Sequence, residues 1–160
     1  MSFNYRVAGY VKLAKLWEKN KEAALTYHEN YYKEKCEKIP GWILQGVYVD
    51  ITGQKLIHKR SQMLRLLEAC QNGEVDCIAV QTKAYLAANS EEFCYLIKFL
   101  SEMPGLIEVV TEDEKYHINT IMNPEQQKEA LEKMANDYVS LDETKYKKWK
   151  DRILQKIHEL

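Results

Sequence analysis

The sequence predicts an α/β domain with a mainly parallel sheet of four to five strands flanked by helices. Runs typical of β-strands alternate with amphipathic segments typical of helices along most of the chain. The run "VDCIAV" (75–80) is almost continuously apolar, as in a strand covered on both faces of a parallel sheet. At 160 residues the chain has room for one substantial core, and its strand–helix–strand units predict right-handed crossovers.

Composition places the chain among soluble globular proteins. It is 46% hydrophobic and 29% charged, with only three prolines and six glycines, which excludes a disordered or fibrous protein. The formal net charge of −1 gives no global field for nucleic acid or anionic membranes, so such binding needs a local patch. There is no signal-like N-terminus and no apolar run of ~18 residues, so we expect a cytoplasmic protein without a membrane partner.

The cysteines and the absence of metal-binding motifs bound the chemistry further. Cys36, Cys70, Cys77 and Cys94 show no CxxC spacing and lie in apolar or amphipathic patterns. This is typical of buried free thiols in a reducing compartment. The sequence therefore predicts neither a structural metal nor a cofactor.

The first half of the chain reads as strand, helix, strand and loop. A β-prone run at 5–13 precedes an amphipathic segment predicted as a helix from Leu16 to about Lys38, which Pro40 and Gly41 terminate. A second strand is predicted at 42–50. The polar stretch 51–60 that follows is predicted to be an exposed, mobile loop.

The next elements are a helix, the apolar strand, a second helix and a fourth strand. From Gln62 the apolar residues recur at helical spacing up to an Asn-Gly stop at 72–73. After the strand at 75–80, Asn89 followed by Glu92 resembles a capping box. The apolar face of the helix that it begins consists of Phe93, Leu96, Ile97 and Leu100. The run "PGLIEVV" then predicts a turn and a fourth strand.

The C-terminal tail is predicted to be helical and separate from the α/β domain. One helix is expected from Pro124, with Asn123 as N-cap, to about Tyr138, and another from Asp142 to the end. The second helix carries an apolar face of Trp149, Ile153 and Ile157. We expect an α/β domain at 1–122 and C-terminal helices at 123–160 that serve oligomerisation or another interaction.

Taken in order, these segments resemble the N-terminal catalytic domain of the serine recombinases, the resolvase and invertase family. The resemblance covers about residues 5–122 and is carried by "RVAGYVKLAK", "PGWILQGVYVD", "TGQ…KRSQMLRLLEACQNGEVDCIAV" and "FCYLIKFLSEMPGLIEVVTEDEKYHINTI". It is strongest to the large recombinases of phages and mobile elements. The resemblance implies DNA cleavage by a serine that becomes linked to a 5′ phosphate, with arginines stabilising the charge on the phosphoryl oxygens.

The residues at the family's catalytic positions depart from this pattern on the first strand. The family's opening strand ends in Tyr-x-Arg-Val-Ser, and the matching run here begins at Tyr10 and ends at Ala14. A methyl group therefore occupies the nucleophile position. Lys12 replaces the arginine, and an ammonium cannot grip a phosphate in two places as a guanidinium does. Asp50 and Arg60 match the acid that ends the second strand and an arginine that follows the mobile loop.

The segment after the central strand departs from the family as well. The family carries Asp-Arg-x-x-Arg there, and this sequence has Ala84, Tyr85 and Ala88 at the three defined positions. The resemblance therefore predicts a domain that has lost catalysis. An alternative is relocated chemistry, in which Tyr85 attacks DNA with help from Lys12 and Arg60. A tyrosine packed over apolar neighbours is the favoured interpretation of this residue.

These departures favour an interaction or regulatory protein. We expect it to oligomerise with itself or with a related, active recombinase, in a DNA recombination system or mobile element. The alternative is a DNA-binding accessory protein that uses the basic C-terminal helix. The candidate phosphate-binding residues are Lys12, Arg60, Lys145, Lys147, Lys148 and Lys150.

Two further stretches admit a functional and a structural interpretation. The tyrosines in "YHENYYKEK" (27–35) either stack on bases or form the core-facing stripe of a helix, and the spacing favours the stripe. The acidic stretch 111–117 either holds a divalent metal or forms a solvated loop, and we expect the loop. The other histidines, His28, His58 and His158, are expected at the surface.

Overall fold

The computed structural model describes residues 4–112, 117–119, 125, 126, 129 and 142–160. Its sheet has five strands in the order β2-β1-β3-β4-β5, of which the first four are parallel and β5 is antiparallel to β4. The strands are β1 (Tyr5–Leu13), β2 (Trp42–Ile51), β3 (Cys77–Val80), β4 (Glu108–Thr111) and β5 (His117–Asn119). The predicted α/β class and the mainly parallel sheet are confirmed.

Helices cover both faces of this sheet. They are α1 (Lys21–Lys38), α2 (Ser61–Gln71), α3 (Ser90–Ser101) and α4 (Glu143–His158). One apolar cluster joins α1 to one face of the sheet, and a larger cluster joins α2, α3 and α4 to the other. Three short 3-10 turns lie at Lys15–Asn20, Ile57–Lys59 and Lys83–Tyr85.

Helix α1 differs from the prediction at its start and in its buried face. The segment 15–20 is a 3-10 turn with no buried residue, so no packing favours extending the α-helix to Leu16, which is 72% exposed. The buried stripe consists of Ala24, His28, Tyr32 and Cys36. Tyr27 is 62% exposed and outside the stripe, whereas His28 is buried, contrary to its expected surface position. The stripe can approach the sheet because a Cβ at Gly9 would lie 2.6 Å from the Tyr32 ring.

Helices α2 and α3 follow the predicted pattern. The apolar faces predicted for both are buried, and Gly73 ends α2 with a φ of +72°, a conformation that glycine adopts readily. Asn89 caps α3 by accepting a hydrogen bond from the Glu92 amide at 2.8 Å. The Glu92 carboxylate does not close the capping box. It is buried and accepts hydrogen bonds from the Ile57 amide and from Trp149 Nε1.

Helix α4 packs into the same core as α2 and α3. Asp142 caps it by accepting hydrogen bonds from two backbone amides at 3.0 Å, which confirms the predicted start. Tyr146, Ile153 and Ile157 are buried, and Trp149 packs partly buried against the cluster. The apolar face that the sequence offers to a partner helix is therefore covered by this chain's own domain. The boundary between 122 and 123 stays a prediction, since residues 120–124 lie outside the described part.

Several remaining expectations concern the cysteines and residues outside the described ranges. All four cysteines are buried and free, as predicted, and burial raises the pKa of the Cys70 and Cys77 thiols to about 12. Residues 113–116 and nearly all of the helix predicted from Pro124 to about Tyr138 lie outside the described residues. Within the ranges that are described, no helix is both long and apolar enough to cross a membrane.

Candidate functional site

The positions that the family resemblance marks lie at the carboxyl edge of the central strands. Val7, Ala8 and Gly9 of β1 pair with β3, whereas the following residues of β1 extend past the end of β3 and pair with β2. In that extension Lys12 lies opposite Asp50 of β2. The edge is closed by the 3-10 turn Lys83–Tyr85, which follows β3.

A buried hydrogen-bond network fills this edge. The Tyr10 hydroxyl donates to Asp50 Oδ2 at 2.8 Å and accepts from Arg60 Nη1 at 3.0 Å. Arg60 also donates to the backbone carbonyls of Tyr85, from Nη1 at 2.7 Å, and Leu86, from Nη2 at 2.5 Å. Tyr10, Asp50 and Arg60 are each at most 5% exposed. A phenol thus connects the one carboxylate and the one guanidinium of this network.

Asp50 stabilises the start of α2. Its two carboxylate oxygens accept hydrogen bonds from the Gln62 and Met63 amides, each at 2.9 Å. These amides belong to the first turn of α2, where backbone donors lack intrahelical partners and a negative charge is favourable. Burial is the largest cause that raises the pKa of Tyr10 far above its usual value, so Tyr10 remains a neutral donor to Asp50. Asp50 has a structural role in this arrangement.

Arg60 points into the protein. Its guanidinium lies 5.7 Å from the centre of the Tyr10 ring, and its Nε is buried without a hydrogen-bond partner among the described residues. Residues 53–56 form the exposed tip of the predicted loop, but Ile57 and Arg60 after them are buried. The sequence predicts a phosphate contact at Arg60. In the structure its Nη groups instead hold the segment after β3 against the start of α2.

The other family positions carry little reactive chemistry. Ala14, Ala84 and Ala88 are exposed and present methyl groups. Lys12 is half-buried and forms no hydrogen bond or ion pair with the residues that the structure describes. Tyr85 is half-buried and packs against both apolar clusters, which agrees with the structural interpretation of this residue.

The predicted basic residues of the C-terminal helix fall into two groups. Lys145, Lys147 and Lys148 are exposed. Lys150 is half-buried and forms an ion pair with Glu102 at 3.1 Å, which fixes α4 to the end of α3. Of the four lysines, three are thus accessible to a polyanion and one is engaged within the domain.

A second group of cations, not predicted from the sequence, lies beside α4. The turn Ile57–Lys59 and the last two turns of α4 flank an open cleft of about 530 Å³. It is lined by Gln54, His58, Lys59, Arg152, Gln155 and Lys156. The signal available in the sequence was the four-residue spacing of Lys148, Arg152 and Lys156, which puts all three on one side of the helix.

The acidic stretch after β4 is partly described. Glu112 accepts hydrogen bonds from the Tyr31 hydroxyl and forms an ion pair with Lys35 on α1. Its charge is therefore balanced by groups of this chain. Among the residues that the structure describes, no group of three or more His, Cys, Asp or Glu side chains could hold a metal ion.

Comparisons with known proteins give matches at the level of structure. The sequence matches no protein-family model, and no curated protein matches it significantly. The N-terminal catalytic domain of TP901-1 integrase superposes with a TM-score of 0.55 at 20% identity, over 79% of this chain and 88% of that one. The C-terminal catalytic domain of ISC1926 TnpA, an IS607-like serine recombinase, superposes with a TM-score of 0.50 at 21% identity, over 67% of each chain.

A third structure extends over most of the chain. A resolvase family site-specific recombinase from Streptococcus pneumoniae superposes with a TM-score of 0.54 at 12% identity, covering 95% of this chain and 93% of that one. At these identities the similarity concerns the fold. Together with the parallel strand order and the flanking helices, it shows that this chain has the fold of a serine recombinase catalytic domain.

Proposed function

We propose that this chain is a serine-recombinase-fold domain that does not cleave DNA and acts as an interaction or regulatory protein in a DNA recombination system. The observation that carries the proposal is the state of Arg60. It matches a family arginine, yet it is 1% exposed and its Nη groups donate to a phenol and two carbonyls. A cation held in this way is not available to a phosphate.

The chemistry of strand cleavage supports the same conclusion. The reaction that the family resemblance implies needs a hydroxyl at position 14 and several cations around the phosphoryl oxygens. Removing one oxyanion-stabilising donor typically costs ~10² to 10³ in rate, and removing a covalent nucleophile closes its route. Ala14 is an exposed methyl group, and among the family positions Lys12 alone is a cation without a described partner.

Relocated chemistry on Tyr85 has weaker support. A tyrosine nucleophile needs a nearby cation that favours the phenolate, because its usual pKa is about 10. The nearest guanidinium, that of Arg60, is bonded to the Tyr85 carbonyl, and the Tyr85 ring packs against both apolar clusters.

The test is covalent capture of DNA. The protein is incubated with supercoiled plasmid and divalent cation, quenched in denaturant, and examined for nicks and for protein linked to DNA. We expect neither, for the wild type or for Ala14→Ser, because the serine would still lack its cations. An active serine recombinase serves as the positive control. A covalent adduct formed by the wild type would overturn the proposal.

The interaction role has its own test. Because the apolar face of α4 is buried within the domain, association must use other surfaces. We expect sedimentation velocity to detect self-association, or co-sedimentation with an active recombinase subunit. A chain that stays monomeric at every concentration and binds no recombinase would contradict this role without affecting the loss of catalysis.

A DNA-binding accessory role is the second candidate, and the exposed outer side of α4 favours it. Lys145, Lys147 and Lys148 are exposed there and have no described ion pair. We expect a salt-dependent gel shift that Lys147→Glu with Lys148→Glu weakens. The charge-matched control is Lys33→Glu with Lys38→Glu, on the exposed side of α1. A shift that the α4 variant leaves unchanged would count against this role.

A further inference from the structure

We propose that the cleft between the Ile57–Lys59 turn and α4 is a binding site for the backbone phosphates of nucleic acid. The inference rests on the accessory DNA-binding role and names the group recognised and the site that recognises it. The cleft measures about 530 Å³, within the range of ligand sites. Its lining contains three permanent cations, one histidine and two glutamines, and no carboxylate.

The two walls of this cleft are fixed to each other by one buried residue. The Glu92 carboxylate accepts a hydrogen bond from the Ile57 amide at 3.3 Å and another from Trp149 Nε1 at 2.9 Å. Ile57 and Ile153, one on each wall, are fully buried in the same apolar cluster. The backbone elements that carry the cations are therefore fixed to each other, so binding does not have to order the backbone and loses only side-chain freedom.

Two of the three permanent cations in the cleft have no partner among the described residues. Arg152 and Lys59 form no hydrogen bond or ion pair with any residue in the described part of the chain. Lys156 contacts Glu159 at 3.4 Å on the exposed side of the helix. A guanidinium with all its donors free is well suited to grip a phosphate in two places.

His58 reports the same electrostatic environment. Its pKa is lowered first by burial and then by the charges of Arg152, Lys59 and Lys156. The charged groups that face it are Lys59 on its own turn and two residues of α4, all of them cations. A phosphate in the cleft would screen this repulsion and favour the protonated imidazole, which adds a further donor.

The length of the cationic surface favours a polymer over a small anion. Lys145 and Lys148 continue the side of α4 that carries Arg152 and Lys156, at spacings of three and four residues. From Lys145 to Lys156 the helix rises ~16 Å, about the axial length of five successive phosphates on one DNA strand. A single phosphate would occupy only part of the cleft and would leave the rest of this surface unused.

The experiment measures the affinity of the full chain for a fluorescent DNA duplex by anisotropy at several salt concentrations. The cleft variant is Arg152→Gln with Lys156→Gln, and the charge-matched control is Lys33→Gln with Lys38→Gln, on the exposed side of α1. We expect the cleft variant to weaken binding about tenfold or more and to reduce the slope of log K against log salt by about 2. The control should change the affinity less than about threefold.

The pH dependence of the affinity and competition by pyrophosphate give two further tests. Affinity should rise a few-fold as the pH falls from about 7.5 to 5.5, because His58 becomes protonated, and His58→Gln should remove that rise. Pyrophosphate should compete only weakly with the duplex. Equal losses in the cleft and control variants would overturn the inference, and so would pyrophosphate that binds as tightly as the duplex.

The outcomes also separate this inference from the role on which it rests. If the wild type binds no DNA even at low salt, the accessory DNA-binding role and the cleft assignment both fall. If the wild type binds DNA and Lys147→Glu with Lys148→Glu weakens it, while the cleft variant binds normally, only the cleft assignment fails. Binding of the cleft to anionic lipid vesicles, but not to DNA, would likewise overturn it.

Discussion

Arg60 and Arg152 carry the same charge in opposite settings. Arg60 lies at the edge that the sequence resemblance marks as the catalytic one, and it is buried and bonded to protein oxygens. Arg152 lies on the outer side of α4, exposed and without a described partner. The capacity to bind phosphate is therefore low at the edge that the sequence resemblance marks and high at a surface that it does not mark.

The partners of an arginine, more than its position in an alignment, indicate whether it can bind phosphate. Arg6 is an intermediate case, because its half-exposed side chain forms a two-point ion pair with Asp76 at 2.9 and 3.0 Å. The three arginines thus form a series from a buried guanidinium bonded to protein oxygens to an exposed one without a described partner. Substitutions along this series should have falling effects on stability.

Among the arginine substitutions, the largest effect is expected from Arg60→Met. The change leaves the Tyr85 and Leu86 carbonyls without a donor and removes the cation from the buried Asp50 network. We expect the free energy of unfolding to fall by about 3 kcal/mol, as for other broken buried networks. Denaturant unfolding followed by circular dichroism measures it. A loss below about 1 kcal/mol would mean that Arg60 is not held as described.

Ile153→Ala tests whether α4, the helix that carries Arg152, is packed against the core. Ile153 is fully buried in the cluster that contains α2 and α3, so its truncation should cost about 2 to 4 kcal/mol. Leu16→Ala is the control, since Leu16 is 72% exposed and should change stability by less than about 0.5 kcal/mol. Equal, small effects would indicate that α4 is detached from the domain in solution.

The Arg6–Asp76 pair should give a smaller, pH-dependent effect. Hydrogen bonds from Arg6 are the main cause that lowers the pKa of Asp76. Because the pKa is lowered in the folded state, the stabilisation is present above the ordinary value of about 4 and is lost as the pH falls through the folded value. We expect Asp76→Asn to cost at most about 1 kcal/mol at neutral pH, since the pair is partly solvated. The difference from wild type should shrink at acid pH. A difference that stays constant would contradict the pairing.

The smallest effect on stability is expected from Arg152→Met. With no described partner to lose, the free energy of unfolding should change by less than about 0.5 kcal/mol. The same substitution should nevertheless weaken DNA binding in the anisotropy assay. If Arg152→Met lowers the free energy of unfolding but leaves DNA binding unchanged, Arg152 has a structural role and the contrast with Arg60 is wrong.

The fold could be read largely from the sequence, because the signals that specify it are local. The apolar periodicity of α2 and α3, the Asn89 cap and the continuous apolar run of β3 each identify an element without knowledge of its neighbours. The sequence does not identify the buried stripe of α1, because the stripe includes His28, a residue type with only an intermediate tendency to be buried.

The site was less accessible to prediction, because its properties depend on contacts between distant segments. The residue types at positions 14, 84, 85 and 88 are visible in the sequence, but the inward orientation of Arg60 depends on carbonyls 25 and 26 residues away. The cleft requires the turn at 57–59 to meet α4, about a hundred residues later in the chain, through Glu92. No local sequence pattern predicts that contact.

The most direct test of this account is an NMR titration of the arginine side chains with duplex DNA. In ¹⁵N-labelled protein, the guanidinium protons of Arg60 should exchange slowly with solvent, and their resonances should stay in place as DNA is added. The resonances of Arg152 should exchange rapidly and shift with DNA. Arg60 resonances that exchange rapidly and move with DNA, while those of Arg152 stay fixed, would contradict the account.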